Sequence, residues 1–124
     1  MNVILSNNSK EPLYEQIKNQ IKAQILSGKL QEGEDILSMR ALARDLQVSV
    51  ITTKRAYDDL EQEGFLSTIP GKGTYVASQN QELLKERKLK QVEDILTNAV
   101  ETAQVYEIAK DELIELLNLL WESE

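Results

Sequence analysis

The sequence contains no cysteine and no histidine among its 124 residues. Without cysteine, disulfides and thiolate metal sites are excluded, and the redox compartment is not constrained. Without histidine, the chain lacks the commonest general base and the commonest transition-metal ligand. No nucleophile–base pair can be recognised either. We therefore expect no metal site, no cofactor and no enzymatic activity.

Long apolar segments and aromatic residues are also scarce. No apolar run approaches the roughly 20 residues that span a bilayer. The start Met1-Asn2-Val3-Ile4-Leu5 lacks the charged and long apolar parts of a signal peptide. With one Trp and one Phe, a hydrophobic fraction of 41% indicates a helical core of Leu and Ile. We expect a cytoplasmic protein with no membrane partner.

The net charge of −7 is unevenly distributed along the chain. Residues 1–78 carry nine Lys or Arg and ten Asp or Glu, whereas residues 79–124 carry five and eleven. The acidity therefore belongs to the tail. Because DNA responds to the local field of the face presented to it, the total charge does not exclude a nucleic-acid partner. With few cations available, non-specific affinity should be modest.

The first part of the chain has the pattern of a helix that follows a short polar segment. Residues 1–11 are polar around Val3-Ile4-Leu5, which is compatible with a short docking strand. Pro12 suits the start of a helix and Gly28 its end. Between them an apolar residue recurs every four positions: Leu13, Ile17, Ile21 and Ile25.

The next segment predicts a winged helix-turn-helix. Ser38 is the expected N-cap of a second helix and Ser49 that of a third, with a tight turn between them. The third helix should end at Gly64. Two segments rich in β-forming residues then flank Pro70-Gly71-Lys72-Gly73, whose proline and glycines strongly favour a turn. Such a unit can place its third helix in a major groove and its hairpin beside it.

The tail changes character near residue 80 and becomes charged and helical. A break is expected near residues 105–111, with Asp111 as the cap of the last helix. One or two exposed helices cannot bury their own apolar faces, so we expect pairing with a second copy. The alternative is folding back onto the winged helix. The positions expected at the dimer interface are Leu89, Val92, Leu96, Leu113, Leu116, Leu117 and Leu120.

Many positions of the winged segment resemble one bacterial family. The matching runs are Gly28-x-Leu30-x-x-Gly33, Ser38-x-Arg40-x-Leu42-Ala43, Val48-Ser49, Ala56-Tyr57-x-x-Leu60-x-x-x-Gly64 and Gly71-x-Gly73-Thr74-Tyr75-Val76. This pattern resembles the N-terminal domain of the GntR family of transcription regulators. Pro12-Leu13-Tyr14-Glu15-Gln16-Ile17 and the short helical tail resemble its YtrA-type subgroup. The expected fold is thus mostly α with a small β-wing, with a winged helix-turn-helix over residues 1–77 and a helical dimerisation tail over residues 78–124.

The sequence departs from the family pattern at two positions. Leu37 stands where the family usually has Pro, which should alter local stiffness more than contacts. Val50 stands where many members carry a basic or polar residue at the tip of the recognition helix. Val50 and Ile51 could instead touch thymine methyl groups and shift the operator preference towards A·T.

The candidate DNA contacts come from the second helix, the third helix and the wing. Arg40 can reach a phosphate or the edge of a guanine base, and the family resemblance favours a contact in the DNA groove. Ser49 has two open interpretations, a phosphate contact or simple capping. Lys54 is the best basic candidate on the third helix, and Arg55 is turned partly towards the flank. The full set is Ser38, Arg40, Ser49, Val50, Ile51, Thr52, Lys54, Arg55, Gly71 and Lys72.

Two functions from different classes fit these observations. The first is a homodimeric regulator, expected to be a repressor, that binds double-stranded DNA at an inverted repeat. The second is a winged-helix protein-interaction module, which the apolar Val50 and Ile51 and the weak charge favour. The tail is short for a ligand domain. An unknown small-molecule effector, if one exists, is expected at the dimer interface or between tail and winged helix.

Overall fold

The computed structural model describes residues 1–79 and 81–123. The chain forms two compact units, of which the first is Met1–Leu84 and the second begins at Lys85. Among the described residues, none of the helices is long and apolar enough to cross a bilayer. The elements in chain order are α1 Leu13–Leu26, β1 Asp35–Ile36, α2 Met39–Leu46, α3 Val50–Gln62, β2 Leu66–Ile69, β3 Gly73–Val76, α4 Gln81–Val105 and α5 Lys110–Glu122.

The core of the first unit lies between α1, α3 and the sheet. The four-residue spacing of α1 places its isoleucines on one face, and that face is buried as predicted. The residues that fill the centre are Ile17, Ile21, Ala56, Tyr57, Leu60, Phe65 and Val76. Leu84, in the first turn of α4, also packs against this core. The first unit therefore includes the start of the long helix.

The sheet has three antiparallel strands in the order β1-β3-β2. The hairpin of β2 and β3 was predicted from the sequence, with Ser67 opposite Tyr75 and Ile69 opposite Gly73. The third strand was not predicted. It pairs Asp35 with Tyr75, and two residues are too few to show the alternation by which strands are recognised.

The helix boundaries follow the predicted caps. Gly28 and Gly64 both have positive φ angles, 86° in each case, and follow the ends of α1 and α3. Ser38 and Ser49 are the N-caps of α2 and α3. Gln47 takes the left-handed conformation at the C-cap of α2, with φ 57°. That conformation turns the chain sharply from α2 into α3.

The second unit is a helical hairpin made from the rest of α4 and from α5. The predicted break lies between Val105 and Lys110, where Glu107 has a φ angle of 57°. The predicted cap was wrong: Ala109 is the N-cap of α5, without a side-chain hydrogen bond, and Asp111 lies in the first turn. Among the residues described after Leu84, only Ala103 is buried. The apolar side chains of this unit are therefore largely exposed.

Candidate nucleic-acid interface

Two buried hydroxyls of α3 hold the chain that leads into α2. The Tyr57 hydroxyl donates to the carbonyl oxygen of Leu37 at 2.6 Å. The Thr53 hydroxyl donates to the carbonyl oxygen of Met39 at 2.8 Å. Both side chains are completely buried. The two flanks of Ser38 are therefore fixed against the helix that is expected to read DNA.

Arg40 lies in the first turn of α2, immediately after this anchored segment. The Ser38 side chain accepts a hydrogen bond from the Ala41 backbone N–H at 3.1 Å and so caps the helix. Burial of Leu42 and Ala43 leaves Arg40 and Arg44 on the exposed side. Within the described part of the chain, neither guanidinium has an acidic partner within 4 Å. Arg40 is thus available to a phosphate or a base edge.

The N-terminal turn of α3 presents small and apolar side chains. The Ser49 hydroxyl oxygen accepts from the Ile51 backbone N–H at 3.1 Å, which is the capping interpretation. The O–H of the same group remains a donor, so a phosphate contact is compatible with the cap. Ile51 is 78% exposed, whereas Val50 and Thr52 are half-buried. The outermost side chain of this turn is therefore an isoleucine.

Lys54 is exposed one turn further along α3 and is paired within its own helix. Its ammonium lies 2.7 Å from the Asp58 carboxylate, at i,i+4 spacing. The hydrogen bond that Lys54 donates to that carboxylate, followed by the negative charge of the carboxylate, raises the pKa of Lys54. Lys54 is therefore a cation at neutral pH, but Asp58 offsets its charge where it would face DNA.

Arg55 lies on the flank of α3, as the helical geometry predicted. Its guanidinium stacks over the Tyr14 ring of α1, 3.7 Å from the ring centroid. This is a cation–π contact that tethers α3 to α1. Arg55 and Lys54 therefore have different environments, one against α1 and one facing outward.

The other carboxylates of α3 are engaged inside the first unit. Glu63 lies 2.7 Å from the Lys22 ammonium of α1, and Asp59 lies 3.7 Å from that of Lys18. Glu61 accepts a hydrogen bond from the Thr68 hydroxyl of β2. Asp58 pairs with Lys54, while Asp59 and Glu63 pair with lysines of α1.

The wing tip consists of Pro70, Gly71 and Lys72 between β2 and β3. Gly71 has a φ angle of 80°, which a residue with a Cβ adopts only with strain. The Lys72 backbone N–H donates to the carbonyl oxygen of Ile69 at 2.9 Å and closes the turn. Gly71 and Lys72 are both exposed. The tip can therefore bring a backbone and one cation close to a groove.

The residues that position the interface were not predicted from the sequence. Thr53 and Tyr57 lie on the buried face of α3, and no role for their hydroxyls was predicted from the sequence. Two polar groups on an otherwise apolar face were the available signal, because a buried hydroxyl needs a partner. Their acceptors lie 14 and 20 residues away in the chain, and no spacing rule identifies such partners.

The model of the bacterial regulatory proteins of the gntR family matches residues 13–76, which is more than half of the chain. The chain belongs to the GntR family. The HTH-type transcriptional repressor YtrA of Bacillus subtilis (strain 168) is 32% identical over 107 residues, which are 86% of this chain and 82% of that protein. The family and the resemblance to YtrA expected from the sequence are thus confirmed.

Two solved structures share the fold of this chain, one over nearly its whole length and one over part of it. A transcriptional antiterminator from Listeria monocytogenes EGD-e, 32% identical, covers 98% of this chain and 91% of its own, with a TM-score of 0.77. AraR(DBD) in complex with operator ORX1, 30% identical, covers 62% of this chain and 96% of its own, with a TM-score of 0.54. The GntR relatives are transcription regulators rather than enzymes. The winged-helix fold and the non-enzymatic class are therefore confirmed.

Proposed function

We propose that this GntR-family regulator is a homodimer that represses transcription by binding an inverted-repeat operator in the cytoplasm. The observation that carries the proposal is the apolar surface of the second unit. Trp121 is 84% exposed there, and Leu89, Val92 and Leu120 are each at least 60% exposed. A surface of this kind on a small helical hairpin marks an interaction site.

Part of the exposed apolar surface, including Leu120 but not Leu89, Val92 or Trp121, lines an open groove between α4 and α5. Its volume is about 410 Å³. The residues around it are Leu96, Ala99, Val100, Lys110, Leu113, Ile114, Leu116, Leu117 and Leu120. Four helices from two copies would form a bundle and bury these side chains together. The dimerisation tail proposed from the sequence, residues 78–124, contains both helices, whereas the compact second unit begins at Lys85.

A twofold dimer determines the form of the operator. Two identical winged helices related by a twofold axis bind two half-sites in opposite orientations, which is an inverted repeat. In each half-site α3 would enter the major groove. The side chains offered to it are Ser49, Val50, Ile51, Thr52 and Lys54, flanked by Arg40 from α2 and by Gly71 and Lys72 from the wing. Ser38 would position Arg40, and Arg55 would support α3 through Tyr14.

Sedimentation of an interface variant tests the dimer. Replacing Leu116 and Leu120 by Asp places two charges in the apolar groove and should give a monomer with an intact winged helix. Asn118→Asp is the matched control, because it adds a charge on an exposed side chain of the same helix that does not line the groove. The control should remain a dimer. A dimer in the doubly charged variant would contradict the assignment of the interface.

The exposed Ile51 favours a second candidate function, a protein-interaction module. An isoleucine at the outermost position of α3 fits a protein partner as well as a thymine methyl group. The salt dependence of DNA binding separates the two, because phosphate contacts release counterions. A module that binds only proteins would show no salt-dependent DNA affinity, and its Ile51 surface would be protected by the partner.

A small-molecule effector would need an enclosed pocket, and in the second unit the groove between α4 and α5 is the place where a pocket could form. In the isolated chain the groove between α4 and α5 is open and almost entirely apolar. A small molecule would therefore be held at the dimer interface, where the second copy closes the groove. Thermal unfolding of the dimer with and without candidate compounds would detect such binding as an increase in Tm.

A further inference from the structure

A row of three glutamines on α1 holds the first residues of the chain. The side chains of Gln24, Gln20 and Gln16 each accept from one backbone N–H, those of Asn2, Ile4 and Ser6, at 3.4, 2.9 and 2.9 Å. The same amides donate to the carbonyl oxygens of the same three residues, at 2.6, 2.7 and 3.0 Å. Each glutamine therefore binds one residue of the arm, defined as residues 2–6, through both the oxygen and the nitrogen of its side-chain amide.

The spacing of the row explains why every second residue of the arm is bound. Four residues of an α-helix advance about 6.0 Å, and two residues of an extended chain advance about 6.7 Å. A side-chain amide at every fourth position therefore meets an extended backbone at every second residue. The arm runs antiparallel to α1, because Asn2 lies at Gln24 and Ser6 at Gln16. The arm was expected to be a docking strand. In the structure it pairs with glutamine side chains of α1 instead of with the backbone of a neighbouring strand.

We propose that Gln16, Gln20 and Gln24 form a peptide-binding site that recognises an extended backbone, and that the arm of the same chain is its ligand and serves as a releasable strap. Each glutamine amide contacts only backbone atoms of the ligand. The site therefore does not discriminate between the ligand side chains that face solvent. Ile4, one of them, is 72% exposed. The inward residues, Val3 and Leu5, pack against the core and supply the selectivity. The ligand class is an extended peptide with apolar side chains at two alternate positions.

The strength of the site decreases towards the N-terminus. Gln16 is only 7% exposed, and its amide also donates to the carbonyl oxygen of Glu11 at 2.8 Å. Gln20 and Gln24 are half-buried, and the bond from the Asn2 N–H is the longest of the row at 3.4 Å. Release therefore starts at Asn2 and stops at Gln16, which keeps a partner in Glu11. Such partial opening is typical of exposed terminal segments.

The strap acts on the helix that supports the recognition helix. α1 carries Tyr14 beneath Arg55, and it carries the lysines that pair with Asp59 and Glu63 of α3. A bound strap braces α1 along the row of Gln16, Gln20 and Gln24. Release of the strap, which leaves the row unoccupied, would loosen that support. The site therefore connects the N-terminus of the chain to the placement of α3.

Amide hydrogen exchange in the intact chain tests the site directly. The proposal predicts slow exchange at Ile4 and Ser6 and fast exchange at Val3 and Leu5, whose backbone groups make no hydrogen bond with the described residues. Gln20→Ala should speed exchange at Ile4 about tenfold or more, because it removes both hydrogen bonds between Gln20 and Ile4. Asn19→Ala, a neighbour outside the row, should leave it unchanged. Equal exchange rates at all four residues would overturn the proposal.

Binding in trans tests whether the strap is a ligand. Val3→Asp in the full chain should release the arm, because it places a charge against the core. A synthetic peptide of sequence Met-Asn-Val-Ile-Leu-Ser-Asn should then bind this variant saturably, with a Kd of about 1 mM, comparable to the effective concentration of a tethered segment. The peptide with Ile4→Ser should bind equally well, and one N-methylated at Ile4 about tenfold more weakly. Absence of saturable binding, or binding unchanged by Gln20→Ala, would overturn the proposal.

Discussion

The Tyr57 hydroxyl donates to the carbonyl oxygen of Leu37 at 2.6 Å and so joins the middle of α3 to the residue before the cap of α2. Leu37 stands where the family usually has Pro. Proline would stiffen this segment through its own ring. Here the segment is held by a buried hydrogen bond from the helix beneath it. The position of Arg40 therefore depends on Tyr57.

Removing this hydroxyl should destabilise the first unit. Tyr57→Phe leaves the Leu37 carbonyl without its donor and should lower the free energy of unfolding by about 1–2 kcal/mol. Urea unfolding followed by circular dichroism measures the change. Tyr75→Phe is the matched control, because among the described residues the Tyr75 hydroxyl has no hydrogen-bond partner. An equal loss in both variants would show that the Leu37 contact is not the cause.

The same hydroxyl should make stability depend on alkaline pH. Burial raises the pKa of the Tyr57 hydroxyl above its ordinary value. As pH rises through about 10, the ordinary pKa of tyrosine, the unfolded chain releases this proton and the folded chain keeps it. The contribution of Tyr57 is therefore complete below about pH 10 and decreases above it. Between pH 9 and about 11.5, the unfolding free energy of Tyr57→Phe should decrease less steeply than that of the unchanged chain.

The pairing of Lys54 with Asp58 should limit DNA affinity. Asp58→Asn removes the carboxylate and should strengthen DNA binding, with a salt dependence steeper by about 0.9 if Lys54 gains one phosphate. The second unit offers a matched control in Asp94→Asn, because Lys90 and Asp94 also lie 2.7 Å apart at i,i+4 spacing. That variant carries the same change of charge and should bind DNA no more tightly. Equal gains in both variants would indicate an effect of net charge alone.

Loss of either exposed cation should weaken specific binding. Lys54→Ala and Arg40→Ala should each cost about 1–3 kcal/mol at the operator if the side chain reads a base. Fluorescence anisotropy with operator DNA and with random DNA distinguishes a base contact from a phosphate contact. A residue whose loss lowers both affinities equally contacts only phosphate.

Ile51 should read a thymine methyl group. Replacing the contacted thymine by uracil removes that methyl and should reduce affinity by about 0.8 kcal/mol, the value of one buried methyl-sized group. Ile51→Ala should bind the thymine and uracil operators equally. Uracil at a position outside the half-sites is the control. Sensitivity to uracil that persists in Ile51→Ala would assign the contact to another side chain.

The local features of the fold could be predicted because each has a short-range cause. The caps at Ser38 and Ser49, the turn at Gly28 and the break after Val105 all follow from side-chain chemistry within a few residues. Asp111 was a wrong cap because Glu107 and Ala109 redirect the chain before it. The two-residue strand β1 carries no periodic signal, so it emerges only from its pairing with β3.

The environment of the candidate site depended on contacts between distant parts of the chain. The sequence could place Lys54 and Asp58 one helical turn apart, and they do pair. It could not place the Tyr14 ring beneath Arg55, because that contact requires α1 to pack against α3. The glutamine row was visible as a spacing of four. The arm was expected to dock as a short strand, but the glutamine row could not be recognised as its partner, because backbone recognition leaves no mark on residue identity.

Whether the dimer binds an inverted repeat can be measured by selecting bound fragments from bacterial genomic DNA at physiological salt and sequencing them. We expect enrichment of an inverted repeat whose half-site centres lie about 10 base pairs apart, or a multiple of that distance. The doubly charged variant with Leu116→Asp and Leu120→Asp should lose this enrichment. A folded dimer that enriches no sequence, or enriches only single half-sites, would contradict the proposal of a dimeric operator-binding repressor.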